Sequence, residues 1–304
     1  VNLNLIPMLR IALFLGTNFA IIIVLSISMS IFGVDGVLHD NGVDLNLNSL
    51  LFISSVIGFT GSFISLLISK WVAKKSMGVI LVTEPKNETE RWLVKKLNEI
   101  SVKANIKPPE FGIFDSQQLN AFATGASKNN ALVAVSQGLL DSMSKGEIEA
   151  VLGHEMSHVA NGDMVTLTLI QGVVNTFVIF FSRVIGHVVD RVILKNQRGH
   201  GIGYFVTTIF AQIVLSILAS IVVMYFSRKR EFVADTGGAD LAGHQNMINA
   251  LKRLAQKEPE PLPEQLAAFG IGEKRKAGKS QLWSSHPPLE DRIKALEERS
   301  KNSN

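Results

Sequence analysis

Four long stretches without a charged side chain most constrain what this chain can fold into. They extend from Ile11 to about Val34, from Leu45 to Ser69 (with the span itself at about 48–70), from Met164 to Ser182 and from Gly201 to Ser227. Each reaches or nearly reaches the roughly 20 residues that a helix needs to cross hydrocarbon. Charged residues make up 18% of the chain, against about 25% in soluble domains. The sequence therefore predicts a mainly α membrane protein with four hydrophobic helices.

The charges that flank these runs predict their orientation. Three aspartates and no Lys or Arg separate the first two runs, whereas Lys70, Lys74 and Lys75 follow the second. Because basic residues favour the cytoplasmic side, we expect the N-terminus and the region after Lys70 in the cytoplasm. Four further basic residues lie between the third and fourth runs: Arg183, Arg191, Lys195 and Arg198. The charge pattern therefore leaves open whether this second hairpin spans fully, and we favour spanning.

The runs divide the chain into two membrane hairpins and two polar blocks. The predicted boundaries are 1–75 and 164–227 for the hairpins, and 76–163 and 228–304 for the two parts of one α+β domain with a small sheet. Ser144 and Glu147 have capping-box spacing, so a helix should run from about Lys145 through His158. Hydrophobic periodicity and turn residues predict the other elements. These are helices over 88–103, 245–255 and after Pro287-Pro288, β-prone runs over 120–124 and 131–136, and a long loop over 258–285.

The predicted helix after Ser144 contains the string His154-Glu155-Met156-Ser157-His158. Residues four apart lie on one face of a helix, so both imidazoles can bind the same ion. Glu155 lies beside them and can approach a metal-bound water without being a ligand. This spacing is typical of zinc metalloproteases and predicts a peptidase, whereas the alternative is two ordinary histidines on a solvated face.

A catalytic zinc takes three protein ligands and keeps one position open. The chain has no cysteine, so the third ligand must be His, Asp or Glu. No further His follows the motif at the spacing of the three-histidine proteases, because position 164 is Met. Glu231 is the better candidate, since Asp235 lies four residues later on the same helix face and can orient a ligating His. The alternative places both carboxylates on a solvated face near basic residues.

Four segments of the chain resemble the HtpX-type membrane zinc proteases, which are bacterial heat-shock enzymes related to the CAAX prenyl protease group. These segments are Gly153 to Asp163, Glu231 to Asp235, Asn120 to Ala123 and His286-Pro287-Pro288. The resemblance implies a zincin-like catalytic domain with one Zn²⁺ per chain, bound by His154, His158 and Glu231. It also implies that Glu155 is the general base and then the proton donor, and that Asp235 lies outside the metal ligands and orients them.

The same resemblance implies roles near the metal for three further residues. His286 and Arg292 match a His and an Arg that help to hold substrate or stabilise charge, and Asn120 belongs to a strand that binds the substrate backbone. From the residues alone, the alternatives are that His286 is a capping or core residue and that Asn120 is an ordinary turn residue.

The resemblance further implies a quality-control enzyme that cuts misfolded or damaged membrane proteins. It implies a multi-pass protein of the bacterial cytoplasmic (inner) membrane, with the active site facing the cytoplasm. The expected partners are these substrates and the lipid bilayer. The net charge of +4 is explained by basic residues flanking the spans, so we expect no nucleic acid. The sequence predicts no particular oligomeric state.

Three other functions fit parts of the sequence. A transporter or channel with a structural metal would place charged or polar residues within its spans, and the four runs contain none that ionise near neutral pH. An inactive scaffold would not require Glu155. A protease that cuts within the bilayer would place the His154-Glu155 motif in an apolar span, but the motif's helix begins with the charged residues Lys145, Glu147 and Glu149.

Overall fold

The computed structural model describes residues 45–196, 199–256, 284 and 286–302, with isolated positions between 23 and 40. The predicted span over 11–34 and the predicted loop over 258–285 lie almost wholly outside the described residues. The elements in chain order are α1 (Leu47–Met77), β1 (Ile80–Leu81), α2 (Glu88–Lys103), β2 (Glu110–Phe114), β3 (Ala121–Ser127), β4 (Asn130–Ser136), α3 (Gln137–Ser142), α4 (Lys145–Asn161), α5 (Asp163–Val188), a π-helical turn (Val189–Ile193), α6 (Ile202–Ala242), α7 (His244–Gln256) and α8 (Leu289–Asn302).

The chain divides into two compact units, and each unit is built from two segments. One unit comprises residues 1–64 and 166–223, and the other comprises residues 65–165 and 224–304. Helices α1, α5 and α6 each contribute residues to both units.

Three helices within the described residues are long and apolar enough to cross a membrane. They are α1, α5 together with its π-helical turn, and α6. In the first unit, Gly58 of α1 abuts α5 so closely that a Cβ would lie 2.8 Å from the backbone nitrogen of Thr176. The amide of Asn175 donates a hydrogen bond to the hydroxyl of Ser62 at 3.3 Å. Small residues and interhelical hydrogen bonds of this kind are what hold helices together in lipid.

The second unit contains a four-stranded sheet in the order β1-β2-β4-β3. Strands β3 and β4 coincide with the two predicted β-prone runs and form an antiparallel hairpin, and Gly125, with φ of +145°, lies at its bulge. Strands β1 and β2 were not predicted, and β2 pairs in parallel with β4. Because β3 ends this order, one of its edges has no partner strand among the described residues.

Both faces of the sheet are buried, as the residues of β4 show. Val133 and Val135 belong to the main core, which also includes the apolar face of α2 and much of α4. Leu132 and Ala134 point to the opposite face, where they pack with Phe122 and other residues of a smaller cluster. A strand that is buried on both faces is apolar at successive positions, which explains the unbroken run of small and β-branched residues in β4.

Helix α4 carries the His154–His158 motif, and its sequence defines both ends. The predicted capping box of Ser144 and Glu147 is present at the start. The helix continues to Asn161, one turn beyond the predicted end, and Gly162 terminates it in the left-handed conformation with φ of 69°. Helix α4 packs against α7 and against β3.

Glycines bring α6 unusually close to α4. A Cβ on Gly238 would lie 2.9 Å from the backbone nitrogen of His154, and a Cβ on Gly237 would overlap the hydroxyl of Ser157. The missing side chains therefore allow the two backbones to approach at the level of the motif.

We expect Gly238→Ala to destabilise the protein, because the added methyl group must push α6 away from the backbone of α4. Overpacking of this kind costs about 1–3 kcal/mol. Gly61→Ala is the matched control, since a Cβ at this position of α1 meets nothing within 4 Å. The thermal unfolding midpoint in detergent, followed by circular dichroism, should fall for Gly238→Ala and not for Gly61→Ala. Equal midpoints would show that the glycine contact is not required.

Candidate active site

Helix α4 places two imidazoles side by side in the interior of the second unit. The ring centroids of His154 and His158 lie 4.8 Å apart, and the ring planes are nearly perpendicular at 89°. His154 is buried and His158 is partly buried. Their separation of four residues on one helix produces this arrangement, as the sequence predicted.

Glu231 of α6 faces both imidazoles. Its Oε2 atom lies 3.6 Å from Nε2 of His154, and its Oε1 atom lies 3.3 Å from Nε2 of His158. One ligand atom from each of the three residues lies within 4.8 Å of the others. The structure thus brings Glu231 together with the two histidines, as a shared metal site would require.

The donor set fits a bound metal ion. Glu231 Oε2 is buried and accepts no hydrogen bond from the described residues, although Arg292 and His286 approach it. A buried carboxylate oxygen without a hydrogen bond is costly, and a cation between the three ligand atoms would satisfy it. Two imidazole nitrogens and one carboxylate oxygen are ligands that several divalent transition metals accept.

A second carboxylate, that of Asp235, lies next to the Nδ1 atom of His154. Asp235 Oδ1 is 2.9 Å from Nδ1 of His154, so Nε2 is left to face Glu231. Arg292 of α8 donates two hydrogen bonds to the Asp235 carboxylate, from Nε at 2.7 Å and from Nη2 at 2.6 Å. The Arg292 side chain is fully buried, and its Nη1 lies 3.2 Å from Glu231 Oε2. Arg292 thus pairs with two buried carboxylates whose like charges would otherwise repel each other.

His286 completes the cluster from the segment before α8. Its Nδ1 lies 2.9 Å from Glu231 Oε2, and the residue is 8% exposed. His286 and Arg292 therefore both lie next to the candidate metal ligand Glu231.

Two neighbours of the cluster were missed by the sequence analysis. Asp163 Oδ2 lies 2.6 Å from Nδ1 of His158, and Arg230 donates a hydrogen bond from Nη1 to the backbone oxygen of Asp163 at 2.5 Å. Asp163 follows His158 by five residues, which is not a spacing that places two side chains on one helix face. The available signal was Gly162, because a glycine after a helix permits the chain to reverse.

Glu155 is 3% exposed, and burial raises the pKa of its carboxyl group. A raised pKa suits a group that must accept a proton and later release it. Burial alone would lower the pKa of His158, but the carboxylates of Asp163 and Glu231 raise it to about 10. Protons therefore compete with a metal ion for this imidazole, and metal affinity should increase with pH.

Asn120 lies directly before the edge strand β3 and is buried. Its backbone N–H donates to the hydroxyl of Ser136 at 3.1 Å, and its backbone oxygen accepts from the N–H of Ser136 at 2.9 Å. These bonds fix the start of β3, the strand against which α4 packs.

Comparison with known proteins gives concordant results. The model of peptidase family M48 matches residues 87–300. Protease HtpX of Thioalkalivibrio sulfidiphilus is 60% identical over 290 residues, which cover 95% of this chain and 98% of that protein. A protease HtpX homolog of Thiobacillus denitrificans is 61% identical over 289 residues, covering 95% and 99% of the two chains.

The fold is similar to the crystal structure of S. mikatae Ste24p. The TM-score is 0.60 at 17% identity, and the match covers 91% of this chain and 65% of that longer chain. At this identity the comparison supports the fold alone.

The resemblance to HtpX-type proteases is thus confirmed over nearly the whole chain. Together with the buried His154, His158 and Glu231 group, these matches show that the chain belongs to peptidase family M48 and is a membrane metalloprotease.

Proposed function

We propose that this protein is a zinc-dependent endopeptidase that cuts misfolded or damaged membrane proteins at the cytoplasmic face of the bacterial inner membrane. The observation that carries the proposal is the convergence of His154, His158 and Glu231 within 4.8 Å, together with the burial of Glu155, the residue that follows His154. A peptidase of this kind would act in envelope quality control.

Zinc is the metal that this donor set favours. Catalytic zinc sites combine three protein ligands, commonly two His and one Glu, with one open position. The chain has no cysteine, so thiolate-rich alternatives are excluded. When bound, Zn²⁺ would lower the pKa of a coordinated water to about 7 and polarise the scissile carbonyl.

Glu155 is the proposed general base. It follows the ligand His154 directly and interacts electrostatically with His154, His158 and Glu231, so it belongs to the same cluster without being counted among the ligands. Its carboxylate would take the proton of the attacking water and then pass that proton to the leaving amine. Burial supports the first step, because it raises the pKa of the Glu155 carboxyl group and so makes its carboxylate a stronger proton acceptor for the water. The protonated group can then donate to the leaving amine.

The remaining cluster residues have supporting roles in the proposal. Asp235 orients His154 through its Nδ1 atom, and Arg292 keeps the Asp235 and Glu231 carboxylates together. His286 lies against Glu231 and is the proposed donor to the oxygen that becomes negatively charged during attack. A positioned donor of this type stabilises the developing charge.

Strand β3 is the proposed binding site for an extended substrate. It is the last strand in the sheet and packs against α4, and Asn120 marks its start. A peptide that adds to a sheet edge is bound through main-chain hydrogen bonds, which depend little on sequence. Loose selectivity suits an enzyme that acts on damaged proteins of many kinds.

Basic residues support a cytoplasmic location for the catalytic cluster. Lys70 and Lys74 belong to the same unit as the cluster, where both pair with Glu110. Arg228, Lys229 and Arg230 follow the apolar part of α6 in that unit. Positive charge next to membrane spans favours the cytoplasmic side.

We expect Glu155→Gln to abolish proteolysis while leaving metal binding intact, because the amide cannot accept the proton of the attacking water. Loss of a general base reduces rates by about 10²–10⁴-fold. Hydrolysis of an unfolded protein in detergent measures the effect. Glu149→Gln on the same helix, which loses only an ion pair with Lys96, should retain activity. Equal activity of Glu155→Gln and the parent would exclude Glu155 as the base.

Removing the metal with a chelator should abolish activity, and adding Zn²⁺ should restore it.

Glu231→Gln should reduce zinc affinity by more than the 10–100-fold typical of residues outside the ligands, because it replaces a charged ligand. Competition with a chromophoric chelator measures this affinity. Asp240→Asn on the same helix, where the carboxylate is exposed and pairs with Arg299, is the control. Unchanged zinc affinity in Glu231→Gln would refute the third ligand.

The absence of cysteine in the chain allows a direct test of orientation. Lys301→Cys on α8, at an exposed position, should react with a membrane-impermeant maleimide only after the inner membrane is opened. Asp40→Cys, between the first two apolar runs and also exposed, should react in intact spheroplasts. The reverse labelling pattern would place the catalytic unit outside the cytoplasm.

A further inference from the structure

The carboxylate of Asp163 contacts the ring nitrogen of His158 that does not face Glu231. Asp163 Oδ2 lies 2.6 Å from Nδ1 of His158, while Nε2 of the same ring faces Glu231 at 3.3 Å. An imidazole that donates from Nδ1 to a carboxylate keeps its lone pair on Nε2, and this is the form that binds a metal. A carboxylate also approaches the corresponding nitrogen of His154, whose Nδ1 lies 2.9 Å from Asp235 Oδ1.

A single left-handed residue between two helices brings Asp163 to this position. Helix α4 ends at Asn161, and Gly162 adopts left-handed backbone angles while its N–H bonds back to the oxygen of His158. Asp163 is then the first residue of α5 and is 8% exposed. The carboxylate is therefore directed at the last turn of the motif helix from the start of the next helix.

Arg230 connects this turn to the helix of the third candidate ligand. Its Nη1 donates to the backbone oxygen of Asp163 at 2.5 Å and lies 3.8 Å from Oδ1. Arg230 directly precedes Glu231 in α6. The contact thus links Asp163, which contacts His158, to Arg230, which precedes Glu231. Asp163 and Arg230 belong to segments that are distant in sequence.

We propose that Asp163 is a positioning residue for the metal site, and that it fixes the tautomer and ring orientation of His158. Arg230 supports it by holding the Asp163 backbone against the helix that carries Glu231. This inference rests on the proposed metal-dependent function. Each histidine of the motif then has its own carboxylate neighbour, Asp235 for His154 and Asp163 for His158. Asp235 lies four residues after the candidate ligand Glu231 on one helix, whereas Asp163 has no such spacing from a ligand.

A purely structural role for Asp163 makes a different prediction. An acidic residue in the first turn of a helix stabilises that helix through the macrodipole. This role requires neither the contact with His158 nor the burial of the carboxylate. It would change protein stability and leave metal affinity alone.

Asp163→Asn distinguishes the two roles, because Asn nearly keeps the shape of Asp but removes the charge. Zinc affinity, measured by competition with a chromophoric chelator, should fall by about 10–100-fold. The unfolding midpoint of the chelator-treated protein should change little. Arg230→Lys should reduce zinc affinity in the same direction and by less. Asp291→Asn, at an exposed first-turn position of α8, is the control and should retain the parent affinity.

Each other result overturns a defined part of the inference. Parent zinc affinity in Asp163→Asn, with a lowered unfolding midpoint, would assign Asp163 a structural role only. Parent affinity in Arg230→Lys would remove Arg230 from the proposal. A parent protein that binds no zinc would instead refute the proposed function itself, and the two failures are therefore distinguishable.

Discussion

The carboxylate of Glu231 is buried, and the catalytic unit is organised around its negative charge. Removing an ionised carboxylate from water costs several kcal/mol unless partners compensate for it. The compensating groups are the imidazoles of His154 and His158, together with His286 and Arg292. They come from α4, from the segment before α8 and from α8. One buried charge thus has its partners on segments that are distant in sequence.

A close approach of two helix backbones accompanies this convergence. Gly237 and Gly238 of α6 lie against Ser157 and His154 of α4, and helices whose contact residues are small can pack at the short end of the usual interaxial range. The imidazole nitrogens of α4 lie 3.3–3.6 Å from the Glu231 carboxylate of α6. The contact that packs the two helices and the cluster of polar side chains are therefore formed by neighbouring residues.

The sequence predicted the parts of the site that lie on single helices. The His154–His158 pair and the relation of Glu231 to Asp235 follow from helical spacing, and the capping box at Ser144 located the start of α4. Asp163 and the parallel pairing of β2 with β4 were not predicted. Both depend on where the chain reverses and which segments then meet, and periodicity within one segment does not contain that information. Gly237 and Gly238 were missed for the same reason, because their role lies in a contact with another helix.

Helix α6 combines an apolar segment and a segment with buried carboxylates in one unbroken helix. It runs without interruption from Ile202 to Ala242 and carries a long apolar run first and the Glu231–Asp235 pair near its end. A helix can do this because its backbone hydrogen bonds are internal and do not depend on the surrounding medium. The side chains alone mark the change, at Ser227 and Arg228. Beyond that point Glu231 is buried whereas Val233 is 55% exposed, so the helix acquires one buried polar face. The segment that suits a membrane and the segment that supplies the third candidate ligand are therefore parts of one continuous helix.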